Sequence, residues 1–287
     1  MKTAAIGELL FDRFPGLDRL GGAPGNVAAM LAQFGAESRL VTAVGEDELG
    51  KRAVREIAAL GVDTGWIQYN SHPTGEVLVT LDAAGKASYR FAPDSAWDHL
   101  NLTPELEAFA ATLDAVCFGS LGQRGASAET IRKFVASTAP GCLRVFDVNL
   151  RAPWYTPEII KESIKMANIL KLNDEELPIL ARICGIAPDK LIPALLADNI
   201  ELVALSRGPE GADLCSRTEF NHEPAAPLER RVDTVGAGDS FTAVLITGLL
   251  KKLPLAVINR HANLVATYVC SQHGATPQLP ADLTVIR

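Results

Sequence analysis

Short apolar runs alternate with longer, helix-like stretches from one end of the chain to the other. Lys2 to Leu10 reads as a first strand, and Pro24 to Phe34 as a helix stopped by Gly35. Pro24 fits the first helical turn, where its missing N–H costs nothing. A strand (Arg39 to Val44), a helix (Asp47 to Leu60, stopped by Gly61) and a short strand near Trp66 to Tyr69 follow. Further apolar runs, Asp114 to Phe118, Leu143 to Val148, Ile169 to Leu172 and Leu202 to Leu205, are separated by helix-like segments. This alternation predicts an α/β fold: a doubly wound, mostly parallel sheet with helices on both faces.

One region breaks the rhythm. Glu76 to Leu81 and Lys86 to Phe91 are β-rich runs joined by Asp82-Ala83-Ala84-Gly85, a hairpin pattern. Such a hairpin is either an antiparallel edge of the main sheet or a lid over a ligand site. The pattern shows neither an internal repeat nor a linker. The expectation is one domain over residues 1–287, with a small β lid at about 74–91.

Composition narrows the function classes. The chain has 287 residues, 48% apolar and 21% charged, enough for a substantial core. Its 27 basic and 34 acidic residues give a net charge of −7 without a block of one sign, so it lacks the basic footprint of a nucleic-acid binder. The five cysteines, Cys117, Cys142, Cys184, Cys215 and Cys270, are scattered and contain no Cys-x-x-Cys pair, which fits a reduced cytoplasm better than a disulfide framework. Met1 to Phe11 is interrupted by Glu8 and has no basic region before a long apolar stretch, so it reads as a buried strand and not as a signal peptide. The longest strongly apolar segment, Phe241 to Leu250, is about half of the ~20 residues that a membrane span needs. A soluble, cytoplasmic protein with no membrane partner is expected.

The stretch Asp233-Thr234-Val235-Gly236-Ala237-Gly238-Asp239-Ser240-Phe241 reads as a glycine-rich turn feeding a helix. Such a turn points successive N–H groups outward, and at a helix N-terminus these donors form an anion site. Asp239 beside that site is either a helix-capping carboxylate or a base that takes a proton from a nucleophile attacking the bound anion. The second case is phosphoryl transfer, in which preorganised donors meet the developing charge. A second segment, Gly21-Gly22-Ala23-Pro24-Gly25-Asn26-Val27-Ala28, permits close backbone approach to a small ligand, and Asn26 can donate and accept, as a polyol demands. Asp12 follows the first strand, where α/β sheets place ligand groups. It could hold sugar hydroxyls or simply close a turn.

Together these segments resemble the ribokinase-like (PfkB) family of carbohydrate kinases, with Gly21 to Ala28 similar to its N-terminal motif and Asp233 to Phe241 to its C-terminal one. The resemblance runs from Gly7 to Pro280 and is strongest to fructokinases, through Gly7-Glu8-Leu9-Leu10-Phe11-Asp12 and Phe146-Asp147-Val148-Asn149-Leu150-Arg151. It implies a ribokinase-like fold and an ATP-dependent sugar kinase. Asp12, Gly22, Asn26 and Arg151 would hold the sugar, Asp239 would be the base, and Gly236, Ala237 and Gly238 would supply the anion hole. Arg151 could alternatively be a surface arginine flanking a helix. Asn173-Asp174-Glu175-Glu176 resembles the Asn-x-x-Glu motif, implying that Asn173 faces phosphate and Glu176 organises Mg²⁺ through water. Ser206-Arg207-Gly208-Pro209-Glu210-Gly211 resembles the nucleotide loop, with Ser206, Gly208 and Gly211 at its key positions, and Asn263 matches positions bordering adenine.

Members of the family often bind a monovalent cation, and Asp233 with the Val235 carbonyl matches that site, so K⁺ is a further candidate. Gln272-His273 departs from the Arg-containing pair usual nearby. The insertion between Asp12 and Gly21 is short, which implies a smaller lid or one built mainly from Thr74 to Phe91. Gln123 lies near where some relatives place a sugar-contacting acid. The expected acceptor is D-fructose, with ribose and 2-keto-3-deoxygluconate as alternatives on the same scaffold and nucleosides a further option. Exposed strand edges on the lid could pair with a second copy and give a homodimer.

Rival readings carry less. Gly45 to Arg52 nearly spells a P-loop, but Arg52 stands where Ser or Thr must meet Mg²⁺, and the acids suit a helix start. Gly238-Asp239-Ser240-Phe241 resembles an esterase nucleophile block, yet neither His261 nor His273 sits in an Asp-x-x-His pattern. The five histidines show no His-x-x-x-His spacing and give no support for a zinc site. A non-catalytic, sugar-binding regulatory relative is the remaining class, and the intact Gly236–Asp239 segment argues against it.

Overall fold

The computed structural model describes residues 1–14, 16–81 and 87–286, with backbone alone for Leu81, Ala87, Ser88 and Tyr89. Strands β1 (Lys2–Ile6), β2 (Leu10–Phe14) and β3 (Leu17–Gly21) lead into α1 (Ala23–Gln33), β4 (Glu37–Gly45), α2 (Glu48–Ala59) and β5 (Ile67–Asn70). After β6 (Gly75–Leu81) and β7 (Ala87–Phe91) come a 3-10 turn (Ala96–His99) and α3 (Pro104–Ala110). The alternation resumes with β8 (Ala115–Gly119), α4 (Ser127–Ala136), β9 (Leu143–Asp147), α5 (Pro157–Met166) and β10 (Ile169–Asn173). It continues through α6 (Glu176–Cys184), α7 (Pro188–Ala197) and β11 (Leu202–Ser206). β12 (Ala212–Ser216) and β13 (Phe220–Glu223) precede α8 (Ala237–Leu250) and α9 (Leu255–Cys270).

Local chemistry explains several helix starts. Thr103, Thr156 and Asp47 each accept a hydrogen bond from a first-turn amide, and Pro104 and Pro157 sit where no donor is needed. Asp47 thereby makes the Gly45–Arg52 segment a helix start and not a P-loop.

Among the described residues, nine strands form one sheet in the order β13-β12-β11-β10-β9-β8-β1-β4-β5, parallel from β11 to β5 and antiparallel only at β12 and β13. Side chains alternate between its faces. Ala5, Cys117 and Val145 meet α1, α8 and α9 on one side, through Met30, Val244 and Val265. Ile6, Phe118, Phe146 and Leu170 meet Phe134, Ile160 and Leu180 on the other. The apolar α8 is buried over most of its length within the first of these layers. The chain leaves β1 toward β4 and β5 and returns on its far side at β8, so a switch point opens at the carboxyl ends of β1 and β8.

A second sheet, ordered β3-β2-β6-β7, stands apart from the first. The predicted first strand is therefore two: it breaks after Ile6 and restarts at Leu10 in the other sheet. The short Asp12–Gly21 insertion is itself a hairpin, β2–β3, which pairs parallel with β6 through β2. The Glu76–Phe91 hairpin consequently is not an edge of the main sheet, and its Asp82–Gly85 turn and Lys86 lie outside the described residues. Arg52 of α2 holds the small sheet to the body, stacking over Phe11 at 4.6 Å and pairing with Asp18 at 3.6 Å.

Candidate active site

The glycine-rich turns before α1 and α8 meet at the switch point. Gly22 caps α1 with a φ of 105°, and a Cβ there would lie 2.5 Å from the Glu8 carbonyl oxygen. Gly236 caps α8 with a φ of 81°, and its Cβ would lie 2.2 Å from the Ala275 oxygen. No larger residue fits either crossing. These two close approaches bring Asn26 of α1 beside Asp239 of α8, where Asn26 Nδ2 donates to Asp239 Oδ2 at 2.7 Å.

Asp239 sits in the first turn of α8. Among the described residues, the Gly238 and Asp239 amides make no backbone hydrogen bond, whereas the Ala237 amide turns back to the Thr234 carbonyl at 3.3 Å. The open donors at the helix N-terminus are thus those of Gly238 and Asp239. Loss of water raises the Asp239 carboxyl to about 6, with the nearby Asp147 adding to the rise. The Asn26 donor, Lys171 and Arg151 oppose it.

Behind this turn lies a buried polar cluster. Lys171 Nζ donates to Asp147 Oδ1 at 3.1 Å, and Thr242 Oγ1 donates to Asp147 Oδ2 at 2.8 Å. The ammonium lies 3.0 Å from where a Cβ on Gly238 would stand, directly under the open helix terminus. Burial favours the neutral amine, but Asp147, Glu176 and Asp239 outweigh it and hold Lys171 charged. Glu8 is a further buried carboxyl at the crevice, and among the described residues its Oε2 has no hydrogen-bond partner. Burial pushes it to about 7, with Asp239 raising and Arg151 lowering it. Sequence reading assigned no role to Lys171 or Glu8. The signal was there: each is a charge interrupting an apolar strand-like run.

Asn173 and Ser206 are register partners at the carboxyl ends of β10 and β11, with the Gly208–Gly211 turn following. Asn173 and Glu176 bond each other reciprocally: the Glu176 amide donates to Asn173 Oδ1 at 2.8 Å and the Asn173 amide to Glu176 Oε2 at 2.9 Å. Glu176 Oε1 accepts from the Leu150 amide at 2.8 Å, which pins the loop that carries Arg151. Each Glu176 oxygen keeps a further lone pair, so the residue fits a water-mediated Mg²⁺ ligand. Asn263 is buried and donates to Asn259, whose amide in turn holds Ala212 and Asn221 of the β12–β13 hairpin.

Asp12 lies in β2, opposite Arg19 of β3, and not at a strand end of the main sheet as the sequence suggested. Burial raises its carboxyl to about 6 against the charges of Arg151 and Arg19. Arg151 is exposed, but its charge acts on Glu8, Asp12 and Asp239 alike, so it faces the crevice electrostatically. A cleft of about 470 Å³ runs beside Asp12, Arg19, Asp233, Val235 and His273. Both Asp233 oxygens are engaged, Oδ1 by the Val235 amide at 3.0 Å and Oδ2 by Arg19 at 3.2 Å. Each oxygen keeps a further lone pair, but a monovalent cation there would share the carboxylate with the positive Arg19. Gln123 is buried and bonds Gly119 and Ser163, so it is structural. Ser240 is fully buried with its hydroxyl donating to the Ala237 carbonyl, and His261 is turned to Leu283, so the esterase arrangement is not present.

A doubly wound sheet whose switch point joins a carboxylate, open helix-terminal amides and a buried lysine defines a phosphotransferase crevice. The chain belongs to the pfkB family of carbohydrate kinases, whose pattern matches residues 18–282. It is 32% identical over 276 residues to the uncharacterized sugar kinase PH1459 of Pyrococcus horikoshii, covering 93% of this chain and 84% of that protein. A fructokinase of Escherichia coli is 30% identical over 270 residues, covering 86% and 84%. The Pyrococcus kinase solved in complex with ATP superposes with a TM-score of 0.81 at 31% identity, over 96% and 94% of the two chains. The fructokinase of Xylella fastidiosa with bound ATP shares the fold at a TM-score of 0.85, with 22% identity over 97% and 95%.

Proposed function

We propose that this protein transfers the γ-phosphoryl group of ATP to a primary hydroxyl of a small sugar, D-fructose, with Asp239 as the base. The supporting observation is the Asn26–Asp239 bond, which joins a polyol-binding type of turn to a helix terminus with open amides. The fructokinase relatives favour fructose as the acceptor.

The chemistry follows from these residues. The acceptor oxygen attacks the γ-phosphorus, its proton passes to Asp239, and the bond to the ADP oxygen breaks. A carboxyl near 6 is ionised at neutral pH yet more basic than an ordinary aspartate, which suits proton removal. The Gly238 and Asp239 amides and the Lys171 charge beneath them stabilise charge on the phosphoryl oxygens. Asp12, Gly22, Asn26 and Arg151 hold the sugar. Asn173, Ser206, Gly208, Gly211 and Asn263 border the nucleotide. Mg²⁺ carried with the nucleotide supplies further charge neutralisation, and Glu176 is the residue that would hold it through water.

We read residues 1–287 as one domain with the small sheet as its lid, since that sheet carries Asp12 and Arg19. Exposed Leu17 and Leu78 on this sheet suit a homodimer, which light scattering on the purified protein tests. The five free cysteines match a reducing cytoplasm.

The deciding experiment is ATP consumption across a panel of sugars and nucleosides, beside Asp239→Asn. Asp239-dependent turnover with D-fructose supports the reading. Turnover confined to another acceptor moves the specificity, and a fully active variant removes the base.

A further inference from the structure

Two histidines and an aspartate, separated in sequence, converge where the β6–β7 hairpin joins the body. His72 lies before β6, Asp94 after β7, and His99 at the end of the 3-10 turn that follows. His99 Nε2 lies 2.6 Å from Asp94 Oδ1, and His72 Nδ1 lies 3.4 Å from Asp94 Oδ2. The imidazoles stack with centroids 3.5 Å apart and planes 9° from parallel. One ligand atom from each residue lies within 4.8 Å of the other two.

We propose that His72, Asp94 and His99 form a binding site for a divalent transition-metal ion, zinc being the best match, which staples together the two segments at the base of the hairpin. Two imidazole nitrogens and one carboxylate oxygen are a zinc-type donor set that leaves a coordination position for water. Magnesium, which prefers oxygen donors, would be poorly served. Tetrahedral zinc at about 2.0–2.1 Å from each nitrogen needs ligand atoms roughly 3.3 Å apart with both in-plane lone pairs aimed at it, so the stacked imidazoles must swing apart to bind it. The site shares no residue with the crevice and holds whether or not the small sheet is a lid.

The backbone around these ligands is held in place. The His72 amide donates to Asn70 Oδ1 at 3.0 Å, and Asn70 Nδ2 donates to the Ala96 carbonyl at 3.0 Å. The Ala96 amide donates to the Pro73 carbonyl at 2.7 Å, which ties one segment directly to the other. Two residues on from His72, Thr74 is fixed by Asp47 through its amide at 2.9 Å and its hydroxyl at 2.7 Å. Next to His99, Asp98 is paired with Arg124, itself stacked between Trp97 and Trp154 at 4.2 and 4.5 Å. Asp94 takes a left-handed φ of 54°, a conformation that aspartate tolerates better than most residues and that sets its carboxylate against both rings. The backbone that carries the three ligands is thus preset, and their side chains turn to complete the site.

The test uses tag-free, chelator-stripped protein without nucleotide. Zinc is titrated by calorimetry and cobalt(II) by its visible ligand-field bands, and hydrogen exchange is followed with and without zinc. The expected result is one ion per chain, with slower exchange of amides at 71–75 and 92–99. His72→Gln and His99→Gln should each weaken binding by at least the roughly 10–100-fold that losing an outer-shell partner costs. His222→Gln, a histidine paired elsewhere with Asp213, should leave binding unchanged. Asp94→Asn, which keeps the side-chain shape, provides a second ligand variant. Absence of saturable 1:1 binding to the wild type, or unchanged affinity in the His72→Gln/His99→Gln double variant, overturns the site. Binding without slowed exchange in those segments overturns the staple.

Discussion

Asn26 Nδ2 donates to Asp239 Oδ2 at 2.7 Å, joining side chains 213 positions apart. The bond favours the ionised carboxylate, while burial and Asp147 favour the neutral acid, and the balance stands near 6. Asp239→Asn is expected to lower kcat by about 10²–10⁴-fold while leaving ATP affinity essentially unchanged. Steady-state kinetics and a nucleotide titration check both halves.

The acid limb of kcat/KM against pH should fall near 6, because the base must be ionised to act. Asn26→Ala removes a donor that lowers the Asp239 pKa, so the limb should move to higher pH. A limb that stays put or moves down would separate Asn26 from the titration of Asp239.

Lys171→Met leaves Asp147 buried and without its cation. Breaking such a pair costs about 3–5 kcal/mol, so the variant should melt well below the wild type. In Asp147→Asn/Lys171→Met both charges are gone while Thr242 keeps an acceptor, and most of the loss should return. A purely structural lysine would let kcat recover along with Tm. The placement beneath Gly238 instead predicts that stability returns and kcat does not.

Glu8 gives a pH dependence of defined sign. Its folded-state pKa, about 7, lies above the ordinary 4.5, so its favourable contribution is complete below 4.5 and lost as pH rises through 7. Glu8→Gln should therefore raise Tm at pH 8, by an amount corresponding to about 3 kcal/mol at most. The gain should shrink as pH falls through 7 and disappear below 4.5. Thermal melts across that range test this directly.

Gly236→Ala forces a Cβ to within 2.2 Å of the Ala275 oxygen at a φ of 81°. The backbone strain alone is about 1–3 kcal/mol, and relief of the clash must shift the α8 terminus. Turnover should fall more than ATP affinity, since the open amides sit two and three residues on.

Much of the body was legible because its signals are local. Apolar runs at Ile169 to Leu172 and Leu202 to Leu205 became neighbouring parallel strands, and Pro24, Asp47 and the glycines closing helices did what their chemistry demands. The small sheet was less so. Leu10 to Gly21 became a hairpin because β2 finds β6 as a partner more than 60 positions on, a pairing that period-2 alternation does not encode.

An α/β chain of alternating strands and helices, two glycine-rich turns that open helix termini, and the residues that resemble a carbohydrate kinase are all written in the order of the amino acids. Local sterics and backbone hydrogen bonding account for those, since both act within a few residues. Which charges meet follows from the folded arrangement. Strand order set Lys171 under Gly238 and moved Asp12 into the second sheet, and the hairpin base drew His72 to Asp94 and His99. Electrostatic partners and metal ligands depend on distances of a few ångström between remote segments, and spacing along the chain carries no record of them.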